Sequence, residues 1–529
     1  MSVTEVEPAT QLSSSRRAMI TAGVMLATVL QSLDTTITTV AIPHMQGAFS
    51  ANLEQVTWVL TSYLVAAAIM TPPTGWLAAR FGRKRLYLVS IGGFTIASAL
   101  CGMAGTLPIM VILRLFQGLF GAALIPLSQA TLLDSHPRER HGQAMAIWGM
   151  GVTGGSILGP TLGGWLIQNY SWRWVFYINV PVGLLAAFMI IAFVQETGRH
   201  RKLQFDAFGF AALSLAIAAF QIMLDRGQIR DWFSSREIMI EAVIAGMAFY
   251  AFLMRTFTAE RPFIRPNLFM DRNFTLALLV RFSNSMILFG SIALFPPFLQ
   301  ELLNYPVLTA GLVLAPRGLG ALIAMAVVGQ LLRRFEPRWI IPVGFLISGY
   351  ALYLMSHFSL YVPTWEIVAT GVIQGVGLAF VNVPLTTVAF TTLSPERRTE
   401  AASVYNVLRA IGSSAGIAIL TALLERNTQI NHAVIGAVAT PFNPLFRWGV
   451  VGQVWNLGTV AGLASLNAEV TRQATMIAYL DDFRFMMMAA LVLAPLALFF
   501  GRIHRRQEAS RVSSASDLDA DQHVSEVSG

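Results

Sequence analysis

GWLAARFGRKR (75–85) returns, 254 residues further on, as GQLLRRFEPRW (329–339), with Gly75, Leu77, Arg80 and Phe81 matched by Gly329, Leu331, Arg334 and Phe335. The correspondence continues in order. Gln117 and Gly118 return as Gln374 and Gly375, and Pro126, Pro137, Arg140 and Ala144 return as Pro384, Pro395, Arg398 and Ala402, at offsets of 257 to 258. Ordered matches at a nearly constant offset mean a duplication in the parallel sense. The chain is therefore expected to fold as two related halves about a pseudo-twofold axis, with further residues inserted between them.

Composition puts those halves in a membrane. Hydrophobic residues make up 55% of the 529 and charged residues only 12%, where a soluble domain carries about 25% charge; mean hydropathy is +0.60. Apolar runs long enough to cross a hydrocarbon layer roughly 30 Å thick recur along the whole chain. Read between polar breaks, they give about fourteen spans: 19–42, 56–78, 86–106, 108–133, 143–168, 173–194, 206–224, 238–256, 274–299, 308–331, 339–357, 365–389, 401–424 and 483–501. A soluble enzyme and a nucleic-acid binder are excluded by so few charges. A secreted disulfide scaffold is excluded because Cys101 is the only cysteine.

The expected architecture is an all-α membrane protein with six spans (19–194), a linker carrying two inserted spans (195–273), and six more spans (274–501). With residues 1–18 inside, 23 Lys and Arg fall in or beside the inner gaps, against eight in the outer gaps. That bias predicts an even number of spans with both termini cytoplasmic. No cleavable signal peptide is apparent, since 1–18 are polar and the first apolar run is long enough to span. Residues 502–529, rich in Ser, Asp and Glu towards their end, read as a disordered cytoplasmic tail. The stretch 425–482 reads as a long outer loop, with VGQVWNLGTVAGLASLN (451–467) apolar enough for interfacial helices.

Five motifs then carry a family resemblance. The loop 75–84 is similar to the loop after the second span of the major facilitator superfamily, RLFQG (114–118) resembles its fourth-span motif, and GVTGGSILGPTLGG (151–164) resembles its fifth-span antiporter motif. LDTTITTVAIP (33–43) and WRWVFYINVPVG (172–183) narrow the resemblance to the fourteen-helix drug:proton antiporters, and within them to the EmrB-like group. The resemblance covers about 19–501. It implies alternating access, export of amphipathic compounds against protons from the bacterial inner membrane, no cofactor beyond the proton gradient, and partnership with a periplasmic adaptor and outer-membrane channel of the EmrA/TolC kind.

Asp34 lies about fifteen residues into the first span and is the only carboxylate placed that deep. A charge at that depth costs roughly 2.5–3.5 kcal/mol, so Asp34 should be protonatable, paired or water-exposed. It is a candidate proton and cation site, or else a structural acid tied to backbone or to Arg114. Arg114 sits among apolar residues of the fourth span, and the resemblance links it to proton coupling; a purely structural clamp is the alternative. Arg281, Arg317 and Arg409 are further intramembrane arginines, suited either to anionic cargo or to snorkelling.

Gly151, Gly154, Gly155, Gly159, Gly163 and Gly164, with Pro160, should let the fifth span pack closely and bend. As the antiporter motif they are candidate gating residues, together with Gly75, Arg80, Gly82, Arg83 and Lys84 of the basic loop. The superfamily's latch uses an aspartate that falls at Ala79 here, which implies a weaker lean towards one conformation. Gln31, Trp58, Tyr63, Gln117, Trp148, Asn284, Asn382, Tyr405 and Arg409 are candidate lining of a substrate cavity, and Trp172 and Trp174 are candidate interfacial anchors.

No ATP site is available, because a P-loop needs Gly-Lys-Ser/Thr and the only lysines, Lys84 and Lys202, each follow an arginine. Three functions remain open on the sequence: proton-coupled export of drugs or of an endogenous lipid or siderophore-like metabolite, proton symport of a nutrient, and a membrane receptor or enzyme. Nothing such as H-E-x-x-H or G-x-S-x-G supports the last.

Overall fold

The computed structural model describes residues 13–51, 53–196, 205–260, 262–394, 397–438, 455 and 458–501. Arg199, Arg201, Lys202, Arg261, Pro395, Arg447, Arg502, Arg505 and Arg506 of the counts and matches above, and the tail 502–529, lie outside the described residues. Among the described residues all regular structure is helical.

The first half begins with α1 (Ser14–Ala48), capped by the Ser13 side chain, which accepts from the Arg16 amide at 3.2 Å. Next come α2 (Leu53–Met70) and α3 (Thr74–Phe81), which meet at a 57° bend. Pro72 and Pro73 sit in that break and bring no amide hydrogen to continue α2. Gly82 then turns the chain at φ +94°, a conformation that favours glycine, into α4 (Arg83–Met103). The half is completed by α5 (Leu107–Gly121) running on into α6 (Leu124–Ser135), then α7 (His141–Asn169), and α8 (Trp174–Tyr177) leading into α9 (Asn179–Phe193).

Two helices follow, α10 (Ala207–Gly227) and α11 (Arg236–Thr258), packed on each other. The second half consists of α12 (Arg272–Pro297) with a π-turn at Phe298–Leu302, α13 (Val307–Leu331), α14 (Pro337–Met355), α15 (Thr364–Thr391), α16 (Arg398–Val438) and α17 (Val460–Leu496). Among the described residues twelve helices are long and apolar enough to cross a bilayer, or thirteen with the bent α2–α3 pair. The fourteenth expected crossing, α7, has the length, at 29 residues, but its glycines dilute its hydropathy.

Packing repeats along with the sequence. In the first half α1 packs on α7, α2 on α5, and α4 on both α5 and α9; in the second, α12 packs on α16, α13 on α15, and α14 on both α15 and α17. The duplicated glycines occupy duplicated contacts. A β-carbon on Gly118 would overlap the carbonyl oxygen of Tyr63, and one on Gly375 that of Arg317, which stands 254 residues after Tyr63. The two halves meet through α7 on α13 and α6 on α16, while α10 packs on both α2 and α16.

Two expectations need correcting. The outer loop read at 425–482 is, over its described residues, largely helix, because α16 runs on to Val438 and α17 starts at Val460. At 1.5 Å per residue the 41 residues of α16 span about 60 Å, roughly twice the hydrocarbon thickness. Thus 460–467 is the first part of a long helix rather than an interfacial one, and His432 Nε2 meets Asn467 Oδ1 at 3.0 Å between the two extensions. The span reading stopped at polar residues, where a helix leaving the membrane has no reason to end.

The close contacts predict a sharp contrast in stability. Gly375→Ala and Gly118→Ala place a methyl against main chain that cannot turn aside, and each should cost about 1–3 kcal/mol. Gly154 and Gly164, with open space where a β-carbon would go, should accept alanine with little change. Thermal unfolding in detergent measures all four; equal melting of the two pairs would refute the packing account.

Candidate functional site

Asp34 lies midway along α1 and is fully buried. Two neighbouring helices fix its carboxylate. From α5, Arg114 Nη1 donates to Oδ2 at 2.8 Å and Gln117 Nε2 to Oδ1 at 2.9 Å; from the start of α9, Asn179 Nδ2 donates to Oδ1 at 2.8 Å. Arg114 is equally buried. Its Nε donates to the Val59 carbonyl on α2 at 3.1 Å, its Nη1 also reaches Gln117 Oε1 at 2.8 Å, and its guanidinium stacks 4.4 Å from the centre of the Tyr63 ring. Opposite charges thus balance inside the first half, and removing either strands the other in a low-dielectric interior. A tie between Asp34 and Arg114, which the sequence left open, is present.

The glycine run explains how α1 is held. Gly155, Gly159 and Gly163 face α1 at successive turns, where β-carbons would crowd Ser32, Thr36 and Ile37, and Gly151 faces Met25. Four-residue spacing keeps these glycines on one face. The helix carrying Asp34 therefore lies directly against the antiporter-like motif.

The second half holds an uncharged counterpart. Ser291 on α12, Gly371 and Gln374 on α15 stand 257 residues after Asp34, Arg114 and Gln117, and Ser291 Oγ lies 3.3 Å from Gln374 Oε1. Arg317, standing where Tyr63 stands in the first half, reaches over the Phe295 ring at 5.8 Å, and its Nη2 is buried without a hydrogen-bond partner.

A cavity of about 520 Å³ opens between the halves, with walls from α1, α2, α10, α12 and α16. Of the expected lining residues, Gln31, Trp58, Tyr63 and Arg409 border it. The others lie elsewhere. Gln117 belongs to the Asp34 network, and Trp148 Nε1 donates to Ser128 Oγ at 2.8 Å. Asn382 Oδ1 accepts from Arg281 and, at 3.2 Å, from Asn284 Nδ2, while Arg281 lies 5.1 Å from the centre of the Tyr405 ring. Those four form a polar cluster within the second half, so polarity at mid-span marked helix contacts as well as the cavity. Asp34 does not border the cavity, and Tyr63 is the residue that touches both it and Arg114.

Four functional candidates are absent from the sequence reading. Asn179 stood in the quoted motif 172–183, an amide in an apolar span. Asp134 ends α6, Asp225 lies in the last turn of α10 on the cavity wall, and Asp482 is buried within α17 with both carboxylate oxygens unpartnered. Asp34 is therefore not the only buried carboxylate. Asp134, Asp225 and Asp482 were each assigned one residue outside a span.

At the end of the bundle where α1 starts, the basic loop closes the halves together. Asp134 pairs with Arg83 of the first half and, at 2.7 Å, with Arg398 Nη1 of the second. A β-carbon on Gly75 would lie 2.7 Å from the Glu400 α-carbon, so α3 abuts the first turn of α16. Lys84 Nζ donates to the Ile191 carbonyl at 2.7 Å, and Arg80 lies in the last turn of α3. With alanine at 79, Asp134 supplies an ionic link between the halves at this end. The His136 imidazole beside it is held below its usual pKa by burial and by Arg17 and Arg140.

A model of the Major Facilitator Superfamily matches residues 24–417. The chain is similar to the multidrug export protein EmrB of Escherichia coli (strain K12), 36% identical over 495 residues that cover 92% of this chain and 96% of that protein. It is also similar to the fatty acid resistance protein FarB of Neisseria gonorrhoeae, at 34% over 434 residues covering 82% and 85%. Among solved structures, the human organic anion transporter MFSD10 superposes with a TM-score of 0.58 at 15% identity, over 90% of this chain and 99% of that one, a likeness of fold alone.

The buried pair predicts a non-additive cycle. Arg114→Gln should lower stability by about 3–5 kcal/mol by stranding the carboxylate, and adding Asp34→Asn should recover part of that loss. Additive losses in thermal unfolding would rule out the coupling.

Proposed function

We propose, for a chain that belongs to the Major Facilitator Superfamily, that it is a proton-coupled exporter of amphipathic drugs and toxic compounds working by alternating access. It is a multi-pass protein of the bacterial inner membrane. The reading takes all fourteen helical segments as crossings, with both termini and the closed basic end in the cytoplasm, as the arginine bias favours. In this conformation the cavity would then face away from the cytoplasm.

The observation that carries the proposal is a buried ion pair one residue removed from a drug-sized cavity. Asp34 and Arg114 neutralise each other inside the first half, and Tyr63 lies between Arg114 and the cavity. A proton on Asp34 would release Arg114, which holds α2 through Val59 and stacks on Tyr63. Proton and substrate then compete through Tyr63 and the packing of α1, α2 and α5, rather than for one carboxylate. The gradient suffices: a charge crossing 100 mV releases about 2.3 kcal/mol, enough for roughly a fifty-fold gradient at 1.36 kcal/mol per decade. The long α16–α17 pair projecting beyond the bilayer supplies a surface for a periplasmic adaptor leading to an outer-membrane channel.

The test is transport in proteoliposomes by wild type and Asp34→Asn under an imposed proton gradient, following a lipophilic cation and lumenal pH together. Substrate moving against a counterflow of protons, and exchange lost in the variant, is the expected result. Substrate and protons moving in the same direction would make the protein a symporter and overturn export.

A further inference from the structure

The inserted helix α10 forms one wall of the cavity and brings to it the sole carboxylate among the described lining residues, Asp225. Gln221 places it. Gln221 Nε2 donates to Asp225 Oδ1 at 3.2 Å and to Ser414 Oγ on α16 at 2.5 Å, so one amide both orients the acid and sets the register of α10 against α16. No ion pair to Asp225 occurs among the described residues. The neighbouring Arg226, also on the cavity wall, pairs with Glu237 of α11, which Arg230 approaches at 3.5 Å as well. Asp225 further occupies the last turn of α10, where the helix dipole is negative and favours a cation.

The other end of the same cavity has the opposite sign. Arg409 of α16 borders it, its Nε 3.4 Å from Asn406 Oδ1, and no carboxylate pairs with it among the described residues. Arg281 lies behind, held on Asn382 and Tyr405. Since Gln221 is level with Ser414, Asp225 stands beside the following turn of α16, roughly 13 Å along the axis from Arg409. Trp58, Tyr63 and Phe289 supply aromatic wall.

We infer that the cavity is split by charge and recognises bipolar amphiphiles: an anionic group of the substrate meets Arg409, and a cationic group meets Asp225. This rests on the efflux reading and gives its substrate class. Zwitterions carrying the two charges at the ends of a rigid aromatic body fit both subsites, while an amphiphile of one charge uses only the matching end. Specificity for charge is then set partly by an inserted helix that has no counterpart in the duplicated halves.

The experiment is calorimetric titration of the full-length protein in nanodiscs with three probes: tetraphenylphosphonium, 1-naphthoate, and the zwitterion 4'-(aminomethyl)biphenyl-4-carboxylate. Asp225→Asn should weaken the cation and the zwitterion about tenfold and leave the anion within about twofold, because the opposite charge facing the cationic group is lost from a site of low dielectric. Arg409→Gln should weaken the anion and the zwitterion and spare the cation. Asp225→Glu should restore the cation, separating charge from fold. Equal losses for all probes, or no loss in either variant, would overturn the inference while leaving export intact. Failure of wild type to bind any probe would overturn both, and crossed losses in a protein that exchanges no protons would uphold the charge split and remove only the efflux mechanism.

Discussion

A buried charge in a bilayer must be answered by another charge, and the Asp34–Arg114 pair is that answer here. Desolvating either alone is prohibitive, so while both are charged α1 and α5 are tied to each other, and α2 and α9 are tied to them through Val59 and Asn179. Close approach makes this possible. The glycine face of α7 lets α1 sit deep in the first half, and Gly118 lets α5 lie on the α2 backbone beside Tyr63.

The duplication did not keep the charges. Where the first half has an acid, an arginine and a glutamine, the second has Ser291, Gly371 and Gln374. The glutamine and the glycine contact beside it persist because they serve packing that both halves need. A second buried pair would add a further desolvation cost to the fold. The asymmetry leaves Arg317 and Arg409, in the half that lacks the pair, with no carboxylate partner among the described residues.

Much of this was legible in the sequence, for identifiable reasons. The duplication, the membrane fold and the candidacy of Asp34 and Arg114 could be read because ordered matches at a fixed offset are hard to produce otherwise and a charge inside an apolar run is rare. Asp134, Asp225 and Asp482 escaped because a span read from hydropathy ends where polarity begins, so an acid at the edge of an apolar run is assigned to water whether it sits in a last turn, as Asp134 and Asp225 do, or inside a longer helix, as Asp482 does. Asn284, Asn382 and Tyr405 were placed on the cavity because sequence gives depth without azimuth. Only the packed structure distinguishes a residue facing substrate from one facing a neighbouring helix. The missing acid at Ala79 was visible, but its replacement by a link through Asp134 was not, since Arg83 and Arg398 are far apart along the chain.

The length of α16 has a mechanical consequence. A rigid rod about 60 Å long, whose first turn is clamped by Asp134 and Glu400 contacts and whose middle forms the cavity wall, behaves as a lever. Rotating it by some 10° about its clamped end would sweep its far tip through about 10 Å, geometry that follows from helix rise alone. A small rotation beside the cavity would thereby be magnified into a large displacement at Val438, about two hydrocarbon thicknesses from the clamp.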